Sequence, residues 1–371
     1  MILTVTTCGT SIFTNGASDS DRGFLSTSAN NLENEYSKDE IARLNNIAEE
    51  KRNFLSQERD ENKIRGISAE LNGLIGYHRK NNNLKSEKNI HFLIHSDTYQ
   101  GELAAQIIQD WGNNNGYDMS ICKIPDLNTH DLESFRMGIN NLVYWCENTI
   151  PEYRTRKYKV VFNLVGGFKI LQGYMQTLGM FYADESVYIF EGSDEILSIP
   201  RLPIDFLESF KTMLKKNIGL VRALQWSNLK LSDCSEIHET MLDIVEGKCT
   251  LSTWGQLMLY RTQEDIYSEK LLPSPSRLIK YSDKTVLTSR KLENHKKARL
   301  NKKIDDLVRY LEGGHRDPQN SLDFKALKNN PKPPSTHEFD LWPDEDVWRG
   351  FGYFDGEVFV INEIGEKLSK Q

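Results

Sequence analysis

The stretch KVVFNLVGGFK, residues 159–169, combines a short apolar run with a pair of glycines. The apolar run predicts a short buried strand that ends near Asn163. The glycine pair at 166–167 then leads into the helical pattern of residues 168–180. A strand that ends in a glycine turn before a helix directs backbone N–H groups and the positive helix end to one point. This stretch alone fits an anion site, to which Lys169 adds a positive charge, and a bare strand-to-helix turn about equally well.

Two other stretches repeat this order of strand, polar turn and helix. Residues 2–6 (ILTVT) predict a strand that is followed by the small polar turn CGTS at 8–11. Residues 89–94 (NIHFLI) predict another strand, followed by the turn HSDT at 95–98 and a helix. Since the carboxyl ends of parallel strands meet at one edge of a sheet, three such turns can line one crevice. We therefore predict an α/β fold with a doubly wound sheet and right-handed crossovers over residues 1–201.

The composition limits domain number, partners and location. The chain has 371 residues and a net charge of −7, which allows two or three domains and does not indicate nucleic-acid binding, although a local basic patch is compatible with it. Five scattered cysteines without a CxxC pair favour a reducing, cytoplasmic location over a disulfide framework or a zinc site. No run of about 18 apolar residues and no signal-peptide pattern is present, so we predict no membrane partner.

Histidine spacing gives no support for a metal centre. The sequence has no HExxH motif, and its HxxxH pair, His91 and His95, lies on a predicted strand. Four strand residues span roughly 13 Å, which is too far for two ligands of one metal ion. We therefore predict no metal and no cofactor.

The character of the chain changes after the first domain. Residues 202–285 contain helical patterns at 206–214, 237–245 and 253–261 and few strand signals, which predicts a helical connector. The spacing of these short helices also allows a winged helix-turn-helix.

Residues 286–371 carry the pattern of a small α+β domain. Residues 290–311 predict an amphipathic helix with a basic first half, and residues 336–342 (THEFDLW) predict a strand. Further on, Asp355 and Gly356 separate two alternating apolar runs, which is a strong β-hairpin signal.

Four pieces of the first domain occur in a specific order: TTCGTSI near the start, ISAELNGL at 67–74, HSDTYQGELAA at 95–105 and FNLVGGFKILQGYM at 162–175. Together they resemble the CARF domains, the CRISPR-associated Rossmann-fold domains of type III CRISPR ancillary proteins. The resemblance implies a homodimer whose paired crevices bind a cyclic oligoadenylate, with cyclic tetra-adenylate as the favoured ring. A symmetric ring of phosphates suits a two-fold site lined by N–H donors and a lysine. The ligand-binding residues implied are Cys8, Gly9, Thr10, Ser11, Ser96, Asp97, Thr98, Gly101, Asn163, Gly166, Gly167, Phe168 and Lys169.

The last 85 or so residues resemble the RelE/HigB toxins, which are ribosome-dependent mRNA interferases. The segments LDFKALKNN and THEFDLWPDEDVWRGFGYFDGEVFVINEIGEKL after a basic helix carry this resemblance. It implies that Arg349 is the functional arginine of the central strand and that Lys367 is a functional basic residue. Where some members carry paired lysines, this chain has His337 in the sequence HEFD, so the acid and base differ from those members.

Metal-free RNA cleavage sets the roles of these residues. The 2′-OH must lose a proton, the leaving 5′-oxygen must gain one, and charge on the phosphorane must be stabilised. Arg349 suits the charge role because it is permanently cationic and bidentate. His337 suits proton transfer because an unperturbed histidine titrates near neutrality, although a structural role fits it as well. Lys325, Lys328 and Lys367 are candidate acids or phosphate anchors, and each also fits a solvated surface position.

The basic half of the predicted helix has two interpretations. It either contacts ribosomal RNA phosphates, which predicts a steep salt dependence, or is a solvated helix face. We favour the first, because toxins of this kind use the ribosome as a platform. The residues are Lys296, Lys297, Arg299, Lys302 and Lys303.

A CARF domain joined to a RelE-like domain resembles the CRISPR-Cas-associated mRNA interferases. We therefore predict a cyclic oligoadenylate-activated, ribosome-dependent mRNA endoribonuclease of type III CRISPR antiviral defence, whose partners are the cyclic ligand, the ribosome, mRNA and a second copy of the chain. One alternative is a ligand-sensing transcription regulator with a DNA-binding connector. Another is a ring nuclease, in which the CARF domain degrades its own ligand. A HEPN nuclease is disfavoured because those domains are all-helical, whereas residues 336–366 are rich in strand signals.

Overall fold

The computed structural model describes residues 1–81, 88–190, 195–313, 322–328, 332–342 and 347–366. The chain divides into two compact units, Met1–Asp205 and Phe206–Gln371. The connector and the C-terminal stretch both lie within the second unit.

The first unit is built on a six-stranded sheet with the order β3-β2-β1-β4-β5-β6. Five strands are parallel and β6 runs antiparallel to β5. This order is that of a doubly wound Rossmann-like sheet, and the predicted α/β class is confirmed. The strands are β1 (Ile2–Cys8), β2 (Ile90–His95), β3 (Asp118–Lys123), β4 (Lys159–Asn163), β5 (Glu185–Ile189) and β6 (Ile196–Pro200).

Helices cover both faces of this sheet. Helices α5 and α6 pack on one face, and α7 and α8 pack on the other. Because both faces are covered, every residue of β1 is buried, which explains its lack of alternation. The helices are α1 (Ser11–Thr14), α2 (Asp19–Thr27), α3 (Lys38–Gln57), α4 (Glu61–Ile67), α5 (Ala69–Lys80), α6 (Tyr99–Asn114), α7 (Leu132–Thr155) and α8 (Lys169–Tyr182).

The first part of the second unit contains a small sheet as well as helices. Strands β7 (Leu229–Lys230), β8 (Leu242–Val245) and β9 (Lys248–Leu251) form an antiparallel sheet in the order β7-β9-β8. The predicted helix at 237–245 is therefore wrong, because Ile244 and Val245 belong to a β-hairpin whose turn has two positive φ angles. The helices here are α9 (Glu208–Lys216), α10 (Ile218–Ala223) and α11 (Thr253–Tyr267).

The rest of this unit is an α+β arrangement. Its five-stranded sheet has the order β10-β14-β13-β12-β11, and the predicted hairpin at Asp355 and Gly356 joins β13 to β14. The predicted helix at 290–311 corresponds to α13, which begins four residues later at Asn294, because Arg290 ends the preceding helix α12. The elements are β10 (Ile279–Tyr281), α12 (Asp283–Arg290), α13 (Asn294–Glu312), β11 (Lys325–Ala326), β12 (His337–Trp342), β13 (Trp348–Asp355) and β14 (Val358–Glu366).

Helix α13 packs against the five-stranded sheet and forms a hydrophobic core with it. Its apolar stripe, which includes Leu300, Ile304 and Leu307, packs with buried residues of β12 and β14. On its other side Asp305 accepts two hydrogen bonds from Arg222, a fully buried side chain. Among the described helices, none combines the length and apolar character that crossing a bilayer requires.

Candidate functional site

The three predicted turns meet at one edge of the first sheet. Strand β1 lies between β2 and β4, with Cys8 opposite His95 and Thr6 opposite Asn163. The turns after β1 and β4 touch closely, since a Cβ atom added to Gly9 would lie 3.0 Å from the backbone nitrogen of Gly167. The positive φ of Gly167 (93°) also favours glycine there. The turns after β1 and β4 therefore adjoin each other, and we refer to this edge of the sheet, together with the β2 turn, as the predicted crevice.

A carboxylate that the sequence analysis missed lies under the β1 turn. The Gly9 N–H donates to Glu70 Oε1 at 2.7 Å, and the hydroxyl of Ser11 donates to Oε2 at 2.6 Å. The hydroxyl of Ser68 donates to the same Oε2 at 2.7 Å. Glu70 is only 1% exposed. The prediction assigned the Gly9 N–H and the Ser11 hydroxyl to an external anion, but both donate to the buried carboxylate of Glu70.

The β4 turn is held by its neighbours. The hydroxyl of Thr7 donates to the Gly166 carbonyl at 2.6 Å, and the Asn163 side-chain amide donates to the Glu70 carbonyl at 3.0 Å. Asn163 and Gly166 are both buried. After this turn, helix α8 begins without a side-chain cap at Phe168, and Lys169 is exposed. The exposed positive charge and the uncapped helix start lie together at the crevice edge.

The β2 turn is organised around Thr98. Its hydroxyl accepts the Gly101 N–H at 3.1 Å and so caps α6, while the Ser96 and Thr98 hydroxyl oxygens lie 2.9 Å apart. Asp97 pairs with Lys123 at 2.9 Å, so its charge is neutralised by a neighbouring strand. A cavity of about 560 Å³ opens beside this turn and is lined by Leu32, Glu33, Asn34, Tyr36, Ile41, Thr98, Tyr99, Glu102 and Lys123.

Burial divides the predicted ligand residues into two groups. One group is buried and supports the turns: Cys8, Thr98, Gly101, Asn163 and Gly166. The other group is at least partly exposed at the crevice: Gly9, Thr10, Ser11, Ser96, Asp97, Gly167, Phe168 and Lys169. Burial, with smaller contributions from Glu70 and Cys122, raises the pKa of the Cys8 thiol well above its ordinary value, so this side chain is neutral.

In the second unit, Arg349 is enclosed by carboxylates. On the neighbouring strand, Glu338 Oε1 lies 2.6 Å from Arg349 Nη1, and Asp340 Oδ1 lies 2.8 Å from Nη2. Asp323 Oδ2 approaches Nη2 at 3.4 Å, and Arg349 itself is 4% exposed. Its Nε atom has no hydrogen-bond partner among the residues that the structure describes. The positive charge is present on the central strand, as the RelE resemblance implies, but is matched by three negative charges.

His337 lies on the opposite face of the sheet from Arg349. Residues alternate along a strand, so Glu338 and Asp340 share the face of Arg349, whereas His337 shares the face of Phe339. There the His337 ring stacks on Phe324 at 5.3 Å. Burial lowers its pKa below the ordinary histidine value. The structure therefore does not bring His337 and Arg349 to one phosphate, and Glu338 is the titratable group closest to Arg349.

The three predicted lysines have different surroundings. Lys325 forms an ion pair with Asp323 and lies 3.8 Å from Glu338, which places it at the rim of the Arg349 cluster. The bond from Lys325 lowers the pKa of Asp323. Lys328 is exposed, and Lys367 lies outside the described residues. We define the Arg349 cluster as Asp323, Lys325, Glu338, Asp340 and Arg349.

The basic residues of α13 are partly engaged within the second unit. Lys302 pairs with Glu264 of α11 at 2.8 Å, and Lys303 approaches Asp306 at 3.5 Å. Lys296 and Lys297 are half-buried, and Arg299 is exposed. The helix therefore presents fewer unneutralised charges than its sequence suggests.

The segment of the connector between β7 and β8 forms no full helix. Between β7 and β8, where a winged helix-turn-helix places that helix, the chain forms only the short 3₁₀ turns Leu231–Cys234 and Glu239–Met241. Residues 231–241 contain three carboxylates and neither lysine nor arginine. Although the sheet order β7-β9-β8 is compatible with a wing, this segment has neither the length nor the charge to enter a major groove.

Within the described ranges, no group of three or more His, Cys, Asp or Glu side chains has the geometry of a metal site. The two histidines of the HxxxH pair, His91 and His95, contact different residues. His91 lies 5.1 Å from His78, ring centre to ring centre, and His95 contacts the Ser96 carbonyl at 2.9 Å.

Comparison with known families decides the broad context of the first unit. Residues 65–202 match the family model described as CRISPR-associated protein (Cas_APE2256). The matched segment includes Glu70, the β2 turn and the β4 turn. It covers more than a third but less than half of the chain, so the match concerns the first unit and not the second.

Two further comparisons add little to this match. No curated protein matches the chain. Among solved structures, the chain is similar to Csm6 of Enterococcus italicus bound to cyclic hexa-2′-fluoro-hexa-dAMP, with 8% identity and a TM-score of 0.26. The alignment covers 86% of this chain and 58% of that one, so this chain spans less than two thirds of the Csm6 length. At that TM-score the likeness supports no conclusion about this chain.

Proposed function

We propose that the first unit binds a cyclic oligoadenylate and acts as the sensor of a type III CRISPR effector. The observation that carries this proposal is the meeting of three turns at the carboxyl edge of β1, β2 and β4, in a segment that largely matches a CRISPR-associated family. In Rossmann-like sheets, ligands bind outside the carboxyl ends of the strands at the point where the strand order reverses. Here that point lies between β1 and β4.

The exposed groups at this edge suit a ring of phosphates. Lys169 is exposed and supplies a positive charge, and the first N–H groups of α8 have no side-chain cap. Glu70 lies beneath the same edge, and its two oxygens accept hydrogen bonds from Gly9, Ser11 and Ser68. We infer that Glu70 shapes the β1 turn and that the phosphates bind on the Lys169 side. A cyclic ligand with two-fold symmetry would join two copies of the chain.

For the second unit we propose a ribonuclease of the RelE type, which makes the chain a CRISPR-Cas-associated mRNA interferase. The support is an antiparallel sheet packed on α13, with Arg349 on its central strand. In this proposal Arg349 stabilises the charge that develops on the phosphorane. Glu338, which shares its face, accepts the proton of the 2′-OH in place of His337.

In this proposal, the Arg349 cluster as the structure shows it is the resting, inactive state of the ribonuclease. As described, the five side chains carry two positive and three negative charges, so an RNA phosphate approaching them meets a net negative surface. RNA binding therefore requires that Arg349 exchange at least one carboxylate for the phosphate. Ligand gating acts on this step if the cyclic oligoadenylate binds the exchanged state better than the resting one.

The test combines ribosomes, a defined mRNA and the full chain, with and without cyclic tetra-adenylate, and maps cuts by primer extension. We expect cuts in ribosome-bound codons only when the ligand is present. Equal cutting with and without ligand would contradict gating. Saturable ligand binding without cleavage by any ring size would reject the RelE-type activity while leaving the sensor proposal standing.

A further inference from the structure

Two cysteines that are distant from any predicted site lie side by side in the second unit. The Sγ atoms of Cys234 and Cys249 are 3.0 Å apart, although the residues are 15 positions apart in the chain. A disulfide has an S–S bond of about 2.05 Å, so closing this gap takes a movement of only about 1 Å. All five cysteines fall in described ranges, and this is the one pair whose sulfur atoms are in hydrogen-bond contact.

The backbone holds the two thiols on adjoining elements. Cys249 lies in β9 opposite Leu229 of β7, and its thiol donates to the Leu229 carbonyl at 3.6 Å. Cys234 ends the 3₁₀ turn Leu231–Cys234 that directly follows β7. Both side chains are 1% exposed and belong to one hydrophobic core. Their approach therefore depends on one small sheet and needs no rearrangement of larger elements.

We propose that Cys234 and Cys249 are a redox modification site, at which a small-molecule disulfide converts the two thiols into an intramolecular disulfide. One cysteine thiolate attacks a sulfur of the reagent, which forms a mixed disulfide and releases one thiol. The second cysteine then attacks the protein sulfur of that mixed disulfide and releases the other thiol. The protein loses two electrons and two protons, and the reagent gains both as two thiols.

Burial makes this reaction slow but selective. Desolvation, with a smaller effect of Cys249, raises the pKa of Cys234 to about 12, so little thiolate is present in the closed structure. The first attack therefore requires local opening, for which the exposed β8–β9 turn at Glu246 and Gly247 offers a starting point. Once a mixed disulfide forms, the second thiol is already in place. When the sheet closes again, the Cys234–Cys249 disulfide is therefore favoured over a persistent mixed disulfide with the reagent.

The disulfide would have a measurable physical consequence. It would close a loop of 15 residues and so restrict the unfolded chain. Because the sulfur atoms are already adjacent, little distortion of the folded state opposes this gain. The oxidised protein should therefore melt at a higher temperature than the reduced protein, and dithiothreitol should reverse the difference.

Tryptic mapping tests the proposal on the folded full chain. After treatment with glutathione disulfide and blocking of remaining thiols, cleavage after Lys230, Lys248 and Arg261 gives one peptide with Cys234 (231–248) and one with Cys249 (249–261). We expect these two peptides to be joined, two hydrogen masses below their sum, and to separate with dithiothreitol. The link should persist in Cys122→Ser, whose thiol is the most exposed of the five, and disappear in Cys249→Ser.

Two outcomes would overturn the proposal. In one, both peptides of the wild-type chain are recovered only with free or glutathione-linked thiols. In the other, Cys234 or Cys249 is linked to Cys8, Cys122 or Cys146 as often as to its neighbour. Since both outcomes are read from the wild-type protein, a folding defect in a serine variant does not affect the decision.

Discussion

Arg349 and Glu338 form a buried ion pair across the β12–β13 ladder, with Nη1 2.6 Å from Oε1. Their side chains are 5% and 14% exposed. An arginine held in this way is positioned but not available, since its charge is committed to protein carboxylates. The pair therefore links two properties of the second unit, its stability and the proposed chemistry, and experiments must separate them.

Replacing Arg349 should affect both properties. In Arg349→Ala, the carboxylates of Glu338, Asp340 and Asp323 lose their common partner, and removing one partner of a buried pair costs about 3–5 kcal/mol. We expect a lower melting temperature of the second unit together with loss of ligand-stimulated mRNA cleavage. Cleavage should therefore be measured at a temperature at which circular dichroism shows the variant folded. Unchanged cleavage by the folded variant would remove Arg349 from the mechanism.

Replacing Glu338 should separate a chemical role from a structural one. Glu338→Gln keeps the shape and one acceptor for Arg349 but cannot take a proton at neutral pH. We expect ligand-stimulated cleavage to fall by about 10²–10⁴-fold. The matched control is Glu363→Gln, because Glu363 lies in the same sheet, on β14, but bonds to Lys284 and Lys332 instead of Arg349. If both variants lose activity equally, the effect of Glu338 is structural.

Replacing Glu70 should disturb the crevice without touching the ligand. In Glu70→Gln, an amide nitrogen takes the place of one acceptor, so the three donors at Gly9, Ser11 and Ser68 cannot all be satisfied. Each buried donor left unsatisfied costs about 1–3 kcal/mol. We expect a lower free energy of unfolding in urea and weaker binding of cyclic oligoadenylate. The exposed Glu152→Gln is the control, and it should change neither quantity.

The buried histidine His91 should make the first unit sensitive to mild acid. Burial, together with His78, lowers the pKa of His91 to about 3, whereas the unfolded chain has the ordinary value of 6.5. Between these values the unfolded state binds a proton that the folded state does not. Stability is therefore complete above pH 6.5 and falls by about 1.4 kcal/mol per pH unit as pH decreases towards 3.

Urea unfolding of the wild type and His91→Phe at pH 7 and pH 5 measures this effect. His95 and His337, whose pKa values are also lowered, contribute equally in both proteins. The difference between the two proteins in stability lost from pH 7 to pH 5 therefore isolates His91. We expect a smaller loss of stability at pH 5 in the variant. Equal losses in both proteins would show that His91 does not carry the acid sensitivity. His130→Gln, at an exposed position, is the control.

The pair Arg222–Asp305 should be the main electrostatic support of α13. Arg222 is fully buried, donates to Asp305 at 2.7 and 3.0 Å, and would keep an uncompensated charge in Asp305→Ala. We expect a loss of about 3–5 kcal/mol in the free energy of unfolding. Glu264→Ala removes an exposed pair with Lys302 and should cost at most about 1 kcal/mol. Similar losses in both variants would contradict this assignment.

Local signals in the sequence predicted most of what is local in the fold. The apolar runs followed by polar or glycine turns at 159–169 and 89–98 correctly predicted strands β4 and β2, and Asp355 with Gly356 predicted the hairpin. Strand β8 was missed because four residues give too short a pattern to distinguish a strand from a helix. The strand β6 was also not predicted.

The relationships that decide the chemistry are not local and were not predicted. Glu70 lies 61 positions from the Gly9 amide that it binds, and nothing in its own neighbourhood indicates a buried carboxylate. The Arg349 cluster depends on the pairing register of β12 with β13, which places His337 on one face and Glu338 on the other. A one-residue shift would reverse this assignment, so sequence alone left the choice of base open.

The central claim is that the first unit is a cyclic oligoadenylate sensor, and titration calorimetry of the full chain with cyclic tetra-adenylate tests it most directly. The account predicts saturable binding of one ring per two chains, lost in Lys169→Ala and kept in the exposed-lysine control Lys63→Ala. Cyclic hexa-adenylate, titrated in the same way, reports the preference for ring size. Absence of saturable binding for either ring, with the protein folded, would contradict the account.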